Sequence, residues 1–307
     1  MKRAVISGAT GAIGTALIEN LISNGIEVLI LMREGSDRKT NIKSHPLIKI
    51  KYSSLENYKS LKNDTGKNYD VFYHFAWAGT FGNTRNDMYL QNKNVEYTLD
   101  AVSVAKEFGC QTFIGAGSQA EYGRAEGVLT ALTPTFPENG YGIAKLCAGQ
   151  MSREYAHQMG LRHIWVRILS VYGPNDGSQT MVMSTINKLQ KGEIADLTKG
   201  EQMWDYLYSA DAAEAFKLLG ERGQDGKVYV LGSGVARPLK EYIEIIGKSL
   251  NSENLLNFGS IPYSQRQVMY LCADVSELSK DTGWEAKTSF KEGIAKILEQ
   301  IKKANKI

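Results

Sequence analysis

Through the first half of the chain, short apolar runs alternate with longer stretches of helical period. Ala4–Ser7, Glu27–Met32, Ile48–Tyr52, Val71–Phe75, Thr112–Ala116 and Val166–Leu169 read as strands. Between them, Ile13, Leu17, Leu21 and Ile22 share one face of a helix, as do Val95, Leu99, Val102 and Ala105. Strands alternating with helices predict right-handed crossovers and a doubly wound α/β fold, its parallel sheet buried on both faces.

The pattern changes after Gly173-Pro174. Residues 175–200 read as irregular. Trp204–Tyr208 then reads as a strand, Ala210–Leu219 as a helix and Lys227–Leu231 as a strand, with helices near Leu239–Leu250 and Phe290–Lys303. This predicts a larger α/β domain over 1–170 with later returns near 203–235. A smaller C-terminal α/β substrate-binding domain occupies most of 171–307, across an interleaved boundary.

Composition narrows the function. A net charge of +3 over 307 residues, with no run of five like charges, argues against nucleic acid. The Lys-rich end, Lys302 to Lys306, reads as a solvated helix terminus. The three cysteines, Cys110, Cys147 and Cys272, have no metal-ligand spacing, so neither zinc nor a disulfide framework is expected, and a reducing cytoplasm is. The apolar run before Gly8 is too short for a signal-peptide core, and no stretch approaches a membrane span. Asp176, Glu193 and Asp196 read as solvated loop carboxylates, and His157 and His163 as ordinary helix and strand-edge residues.

Ser7-Gly8-Ala9-Thr10-Gly11-Ala12-Ile13-Gly14 follows a strand and opens a helix. That is the context of a Rossmann-type dinucleotide site: glycines admit a diphosphate to the backbone, and the helix N-terminus offers it amides and a partial positive charge. The second strand ends Leu31-Met32-Arg33, without a carboxylate at its tip. Arg33, assisted by Ser36 and Arg38, suits a 2′-phosphate, which favours NADP(H) over NAD(H); the alternative gives the ribose to Glu34.

Tyr141 and Lys145 lie four apart, on one face of a helix. A nearby ammonium lowers the pKa of a phenol, so Tyr141 becomes a candidate acid/base at a carbinol or carbonyl oxygen. Ser118, at a strand end, is a candidate hydrogen-bond donor to the same oxygen.

These residues resemble the extended short-chain dehydrogenase/reductase family of NAD(P)-dependent nucleotide-sugar epimerases, dehydratases and reductases. The resemblance rests on the Gly8–Gly14 loop, His74-Phe75-Ala76, Asn94-Val95 with Thr98, Ser118 before Tyr122-Gly123, the Tyr141/Lys145 pair, Arg167 before Val171-Tyr172-Gly173-Pro174, Asp205-Tyr206 and Gly283-Trp284. It implies catalytic Ser118, Tyr141 and Lys145. It implies cofactor contacts from Gly8, Thr10, Gly11, Ala12, Ile13, Gly14, Met32, Arg33, Arg38, Ser54, Leu55, Phe75, Ala76, Trp77, Asn94 and Ile168, besides the Tyr–Lys pair. Substrate contacts are expected from Trp77, Gln119, Glu121, Ser170, Trp204 and Arg266, with Phe81 and Arg85 in a substrate loop. Glu121 is expected on an alternating strand end, where a structural hydrogen-bonding role is at least as well supported. No metal is implied. Helices near Met88–Phe108 and Ala144–Met159 form dimer contacts in many relatives, so a homodimer is expected.

Departures from the family pattern bear on the reaction. Dehydratases carry Asp-Glu where this chain has Gln119-Ala120, and alanine cannot move a proton. Reduction of a 4-keto-6-deoxy sugar nucleotide at C4 is therefore the favoured activity, ahead of an NAD-dependent 4-epimerase and a non-catalytic cofactor-binding regulator. Trp204 stands where the family often has a phosphate-binding arginine, which turns attention to Arg266.

Overall fold

A computed structural model describes residues 1–304. Asn305 and Lys306, part of the expected helix terminus, lie outside the described residues.

The first half builds β1 (Arg3–Ser7), α1 (Ala12–Ser23), β2 (Glu27–Met32), β3 (Ile48–Tyr52), β4 (Val71–His74), α2 (Met88–Glu107), β5 (Thr112–Ser118), α3 (Gly140–Gln158) and β6 (Arg162–Ile168). Then follow β7 (Ser170–Tyr172), α4 (Met181–Gln190), β8 (Ala195–Leu197), β9 (Met203–Trp204), β10 (Tyr206–Tyr208), α5 (Ser209–Arg222) and β11 (Val228–Leu231). The chain finishes with β12 (Arg237–Pro238), α6 (Leu239–Ser249), β13 (Leu256–Phe258), α7 (Ser276–Thr282) and α8 (Phe290–Ala304).

Seven strands form one parallel sheet in the order β11-β6-β5-β4-β1-β2-β3. Central β1 is apolar because both its faces are covered: Val5 and Ile6 have no exposed surface. β3 closes one edge, where Lys49 and Lys51 alternate with Ile48 and Ile50 and discourage edge pairing. On one face, Leu17, Ile18 and Leu21 of α1 meet the sheet beside Ala212, Phe216 and Leu219 of α5. The other face is packed by Ala101, Val102 and Ala105 of α2 and Ala156 of α3. A third apolar cluster joins Val182, Ile186 and Leu189 of α4 to Ile243 and Ile246 of α6 and Ile294 and Ile297 of α8. No helix among the described residues is long and apolar enough to cross a membrane.

The second half departs from the sequence expectation in three places. Residues 175–200 contain α4, whose apolar positions fall at Val182, Ile186 and Leu189. Strand β6 starts four residues earlier than expected, at Arg162, and Leu169 divides it from β7. The single strand expected over Trp204–Tyr208 is two, with Asp205 between them.

Asp205 divides that strand because its carboxylate is fully buried and saturated with donors. It accepts from the Ser233 amide and hydroxyl at 2.6 Å each, from the Gly234 amide at 3.1 Å and from the Ala273 amide at 3.0 Å. On one side Met203 and Trp204 pair with β12, and on the other Tyr206–Tyr208 pair with β7. The carboxylate thus gathers two segments, 233–234 and 273, at the break between β9 and β10. Asp205→Ala strands buried donors and is expected to cost ~3 kcal/mol or more in urea unfolding. A loss below ~1 kcal/mol would mean that these amides find other partners.

Candidate active site

The sheet reverses its winding direction between β1 and β4, and parallel α/β sheets bind ligands in the crevice formed there. A cleft of about 720 Å³ opens at this place, lined by Gly8, Gly11, Ala12, Ile13 and Gly14 at one end and by Ser118, Tyr141 and Lys145 at the other. Gly8 has φ +70°, and a Cβ on it would lie 2.4 Å from the Ala76 amide nitrogen. A Cβ on Gly14 would meet the Ala9 backbone at 2.7 Å. Gly11 differs, since nothing lies within 4 Å of a Cβ built there. Gly8 and Gly14 thus permit close packing, while Gly11 leaves open space before the first turn of α1. No side chain caps that helix, so its leading amides and dipole face the cleft. This cradle fits a dinucleotide diphosphate.

Helix α3 positions the other end. Asn139 caps it by accepting from the Gly142 amide at 2.8 Å, which puts Tyr141 in the first turn and Lys145 one turn on. The Lys145 ammonium donates to the Ala116 carbonyl at 2.7 Å and sits 3.7 Å above the Trp77 ring. Trp77 meets Tyr141 edge-on at 6.0 Å between centroids, and the Arg85 guanidinium lies 4.3 Å from the Tyr141 ring centre. Burial pushes the Tyr141 phenol up, against the pull of its hydrogen bond with Ser118 and the charge of Arg85. Burial also pulls Lys145 down to about 7, opposed by the charge of Glu121. His74, enclosed between Ser7 Oγ at 2.8 Å and Thr98 Oγ1 at 3.5 Å, is brought down to about 3 by burial and then by Lys145, so it is a neutral linker of β1, β4 and α2.

Glu121 corrects two expectations. It belongs to a 3₁₀ turn, Gln119–Glu121, and not to a strand end. It is fully buried, and its oxygens accept from the Ser118 amide at 2.8 Å, Trp165 Nε1 at 3.0 Å and Arg167 Nε at 2.8 Å. With its carboxylate so committed to protein donors, Glu121 has the structural hydrogen-bonding role weighed for it rather than the arrangement expected of a substrate contact. The Trp165 ring lies against Gly115, Gly117 and Gly149, where any Cβ would come within 2.3–2.7 Å of it. The glycines at the end of β5 therefore make room for the tryptophan that orients Glu121.

Of the other expected cofactor residues, Arg38, Phe75, Trp77 and Ile168 line the cleft. Thr10 lies beside it, its carbonyl accepting from Asn41 at 2.9 Å, and Ala76 packs under Gly8. Met32 is buried at the end of β2, Arg33 is exposed, and Ser54 and Leu55 begin a 3₁₀ turn outside the cleft lining. Asn94 is buried behind the cleft wall. It accepts from the Ala78 amide at 2.8 Å and donates to the Ala78 carbonyl at 2.9 Å, so it secures the loop after β4.

Among the expected substrate residues Trp77 borders the cleft, as does Phe81 of the expected substrate loop; Gln119 follows Ser118 just outside the lining. Ser170 and Trp204 are bonded to each other, Nε1 to Oγ at 2.8 Å, which uses the single indole donor. Arg266 is exposed and donates to the Glu138 carbonyl at 3.3 Å. Sequence reasoning missed the segment 175–179, which closes one side of the cleft. There Arg38 donates to the Asn175 carbonyl, and Asn175 donates to Thr15 Oγ1 at 3.3 Å. Asp176, expected to be solvated, lies in this wall bonded to the Gly177 amide and the Thr180 hydroxyl, and burial raises its carboxyl. His163 is likewise buried, stacked between Phe113 and Trp165. No group of three or more metal-ligating side chains occurs among the described residues.

The sheet order and its cleft define a Rossmann-type α/β protein. The chain belongs to the NAD dependent epimerase/dehydratase family, whose profile matches residues 4–232. It is similar to the CDP-abequose synthase of Salmonella typhimurium, at 23% identity over 304 residues and 97% of each chain. It is also similar to the dTDP-D-glucose 4,6-dehydratase of Homo sapiens, at 26% identity over 322 residues, 97% of this chain and 89% of that one. Two solved structures share the fold. The UDP-glucose 4-epimerase of Thermotoga maritima with UDP-glucose has a TM-score of 0.88 at 21% identity over 99% of each chain. The dTDP-glucose 4,6-dehydratase of Streptomyces venezuelae with NAD bound has 0.87 at 18% identity, over 99% of this chain and 98% of that one.

The depressed Lys145 gives a pH test. Between about 7 and 10.5 the unfolded chain holds a proton on this lysine that the folded protein lacks, so its contribution to stability rises with pH there. Urea unfolding of the cofactor-free protein should show wild type gaining on Lys145→Met from pH 7 to pH 9. A constant difference would place the lysine near its ordinary value.

Proposed function

We propose that this protein is an NADP(H)-dependent reductase of a nucleotide-linked 4-keto-6-deoxyhexose, acting at C4. The observation that carries the reading is the convergence of Ser118, Tyr141 and Lys145 in the same cleft as the glycine cradle. When bound, a nicotinamide cofactor would supply the hydride. Tyr141 gives its phenolic proton to the C4 oxygen as the carbonyl becomes a carbinol, and Ser118 donates a hydrogen bond to that oxygen. Lys145 favours the phenolate that is left and holds the nicotinamide ribose. Trp77 walls the sugar pocket, and Arg266 stands outside it as the candidate cation for the substrate phosphates. The part of 171–307 built on α4, α6 and α8 closes the substrate side. Gln119-Ala120 disfavour elimination of water, since neither side chain is a proton carrier.

Known relatives support the substrate class: their names include a CDP-sugar synthase and dTDP- and UDP-sugar enzymes. The cofactor preference rests on Arg33 at the tip of β2 and on Arg38 in the cleft wall. We further read the groove between α2 and α3, bordered by Leu99, Ser103, Met151 and Tyr155, as a homodimer contact, and the cytoplasm as the compartment.

Two measurements test the reading. Tyr141→Phe is expected to keep cofactor affinity while losing at least about 100-fold in kcat on 4-keto sugar nucleotides; full turnover by that variant would refute the mechanism. Wild type should show a KM for NADPH well below that for NADH, with Arg33→Ala or Arg38→Ala narrowing the gap. A clear NADH preference, or tightly held NAD released on denaturation, would favour the 4-epimerase.

A further inference from the structure

Arg85 lies in the turn Gly82–Asn86, after β4 and before α2. Two neighbours fix that turn. Gln91, buried in α2, donates to the carbonyls of Gly79 and Thr84 at 2.9 and 2.8 Å. Asn86 accepts from the Gly140 amide at 3.0 Å, next to Tyr141 in the chain. Arg85 itself donates to the Thr80 carbonyl at 3.0 Å, which holds its guanidinium 4.3 Å from the Tyr141 ring centre.

The phenol is therefore faced from four elements. Ser118 comes from the end of β5, Glu121 from the turn beyond it and already paired to Arg167, and Arg85 from the turn after β4. Lys145 comes from α3 itself, 5.8 Å from the ring centre. Lys145 is anchored to the Ala116 carbonyl and the Trp77 face, away from the ring, and burial weakens its hold on a proton. A guanidinium does not deprotonate in this way, and a cation packed on an aromatic face is attracted to it.

We propose that Arg85 is a positioning residue that clamps the Tyr141 ring and supplies a permanent positive charge to its phenolate form. The proposal rests on Tyr141 being the acid/base. The positive charge lowers the phenol pKa, and losing it raises the pKa in either direction of reaction.

The test uses the full chain and two readouts. Ultraviolet difference titration of wild type against Tyr141→Phe isolates this phenol, and Arg85→Gln is compared with its own Tyr141→Phe double. The Tyr141 midpoint should rise by about one pH unit in Arg85→Gln. The limb of the kcat/KM profile that Tyr141 governs, measured with NADPH and 4-keto sugar nucleotides, should move up equally. Arg85→Lys keeps the charge only up to the pH at which its own ammonium titrates; below that pH its kcat/KM profile should stay nearer wild type than that of Arg85→Gln, which guards against a fold defect in the glutamine variant. Equal midpoints in wild type and Arg85→Gln overturn the proposal. So does a phenol that ionises in none of the proteins. Should Tyr141→Phe retain full turnover, the acid/base reading falls. If that variant is inactive but the Arg85→Gln profile is unmoved, only the role of Arg85 falls.

Discussion

One buried carboxylate, Glu121, governs the reactive end of this sheet. It bonds the Ser118 amide, the Trp165 indole and the Arg167 guanidinium, and so ties the end of β5 to β6. Breaking a buried ion pair by removing one partner leaves an uncompensated charge, so Glu121 and Arg167 stand or fall together. What depends on the pair is direction: Ser118 starts the 3₁₀ turn at a set angle, and the Ala120 amide donates back to its hydroxyl at 3.2 Å. The glycines at 115, 117 and 149 belong to the same device, since they let Trp165 lie flat enough to present its N–H.

The cleft built on this frame has contrasting ends. At the cradle, α1 presents amides and no charged side chain from its first turn. At the other end, cations crowd an aromatic pair: Lys145 above Trp77 and Arg85 on Tyr141. Burial disfavours charge, which is why Lys145 and His74 are both driven toward their neutral forms, Lys145 against the pull of Glu121 and His74 with the added push of Lys145. A bound dinucleotide would pass between the two ends. The wall at 175–179 is joined to Arg38 and Thr15, so it contacts both the loop after β2 and α1.

How much of this was legible from the residues depended on how local each signal was. The strands of the main sheet and α1 follow from apolar runs and glycine placement, because a doubly covered parallel strand is apolar throughout. α4 was missed because polar loop residues on both sides mask its short apolar stripe. The break at Asp205 was missed because its cause is four donors from residues 233, 234 and 273. Asn94 matched a family position, but its partners were invisible, so this buried hydrogen-bonding group was expected to be a cofactor contact; for Glu121, whose partners were equally invisible, a structural role and a substrate contact both stayed open.

The sequence by itself determined the doubly wound sheet, the glycine cradle after β1 and the pairing of Tyr141 with Lys145. These depend on spacing along one strand or one helix turn, which is written in adjacent residues. Only the tertiary structure decided which polar side chains face the cleft and which are consumed in holding it. It turned Glu121 inward, paired Ser170 with Trp204, put Arg85 on the Tyr141 ring and brought 175–179 to the cleft wall. Those outcomes depend on groups up to 160 residues apart meeting across the fold, and no periodicity along the chain encodes such a meeting.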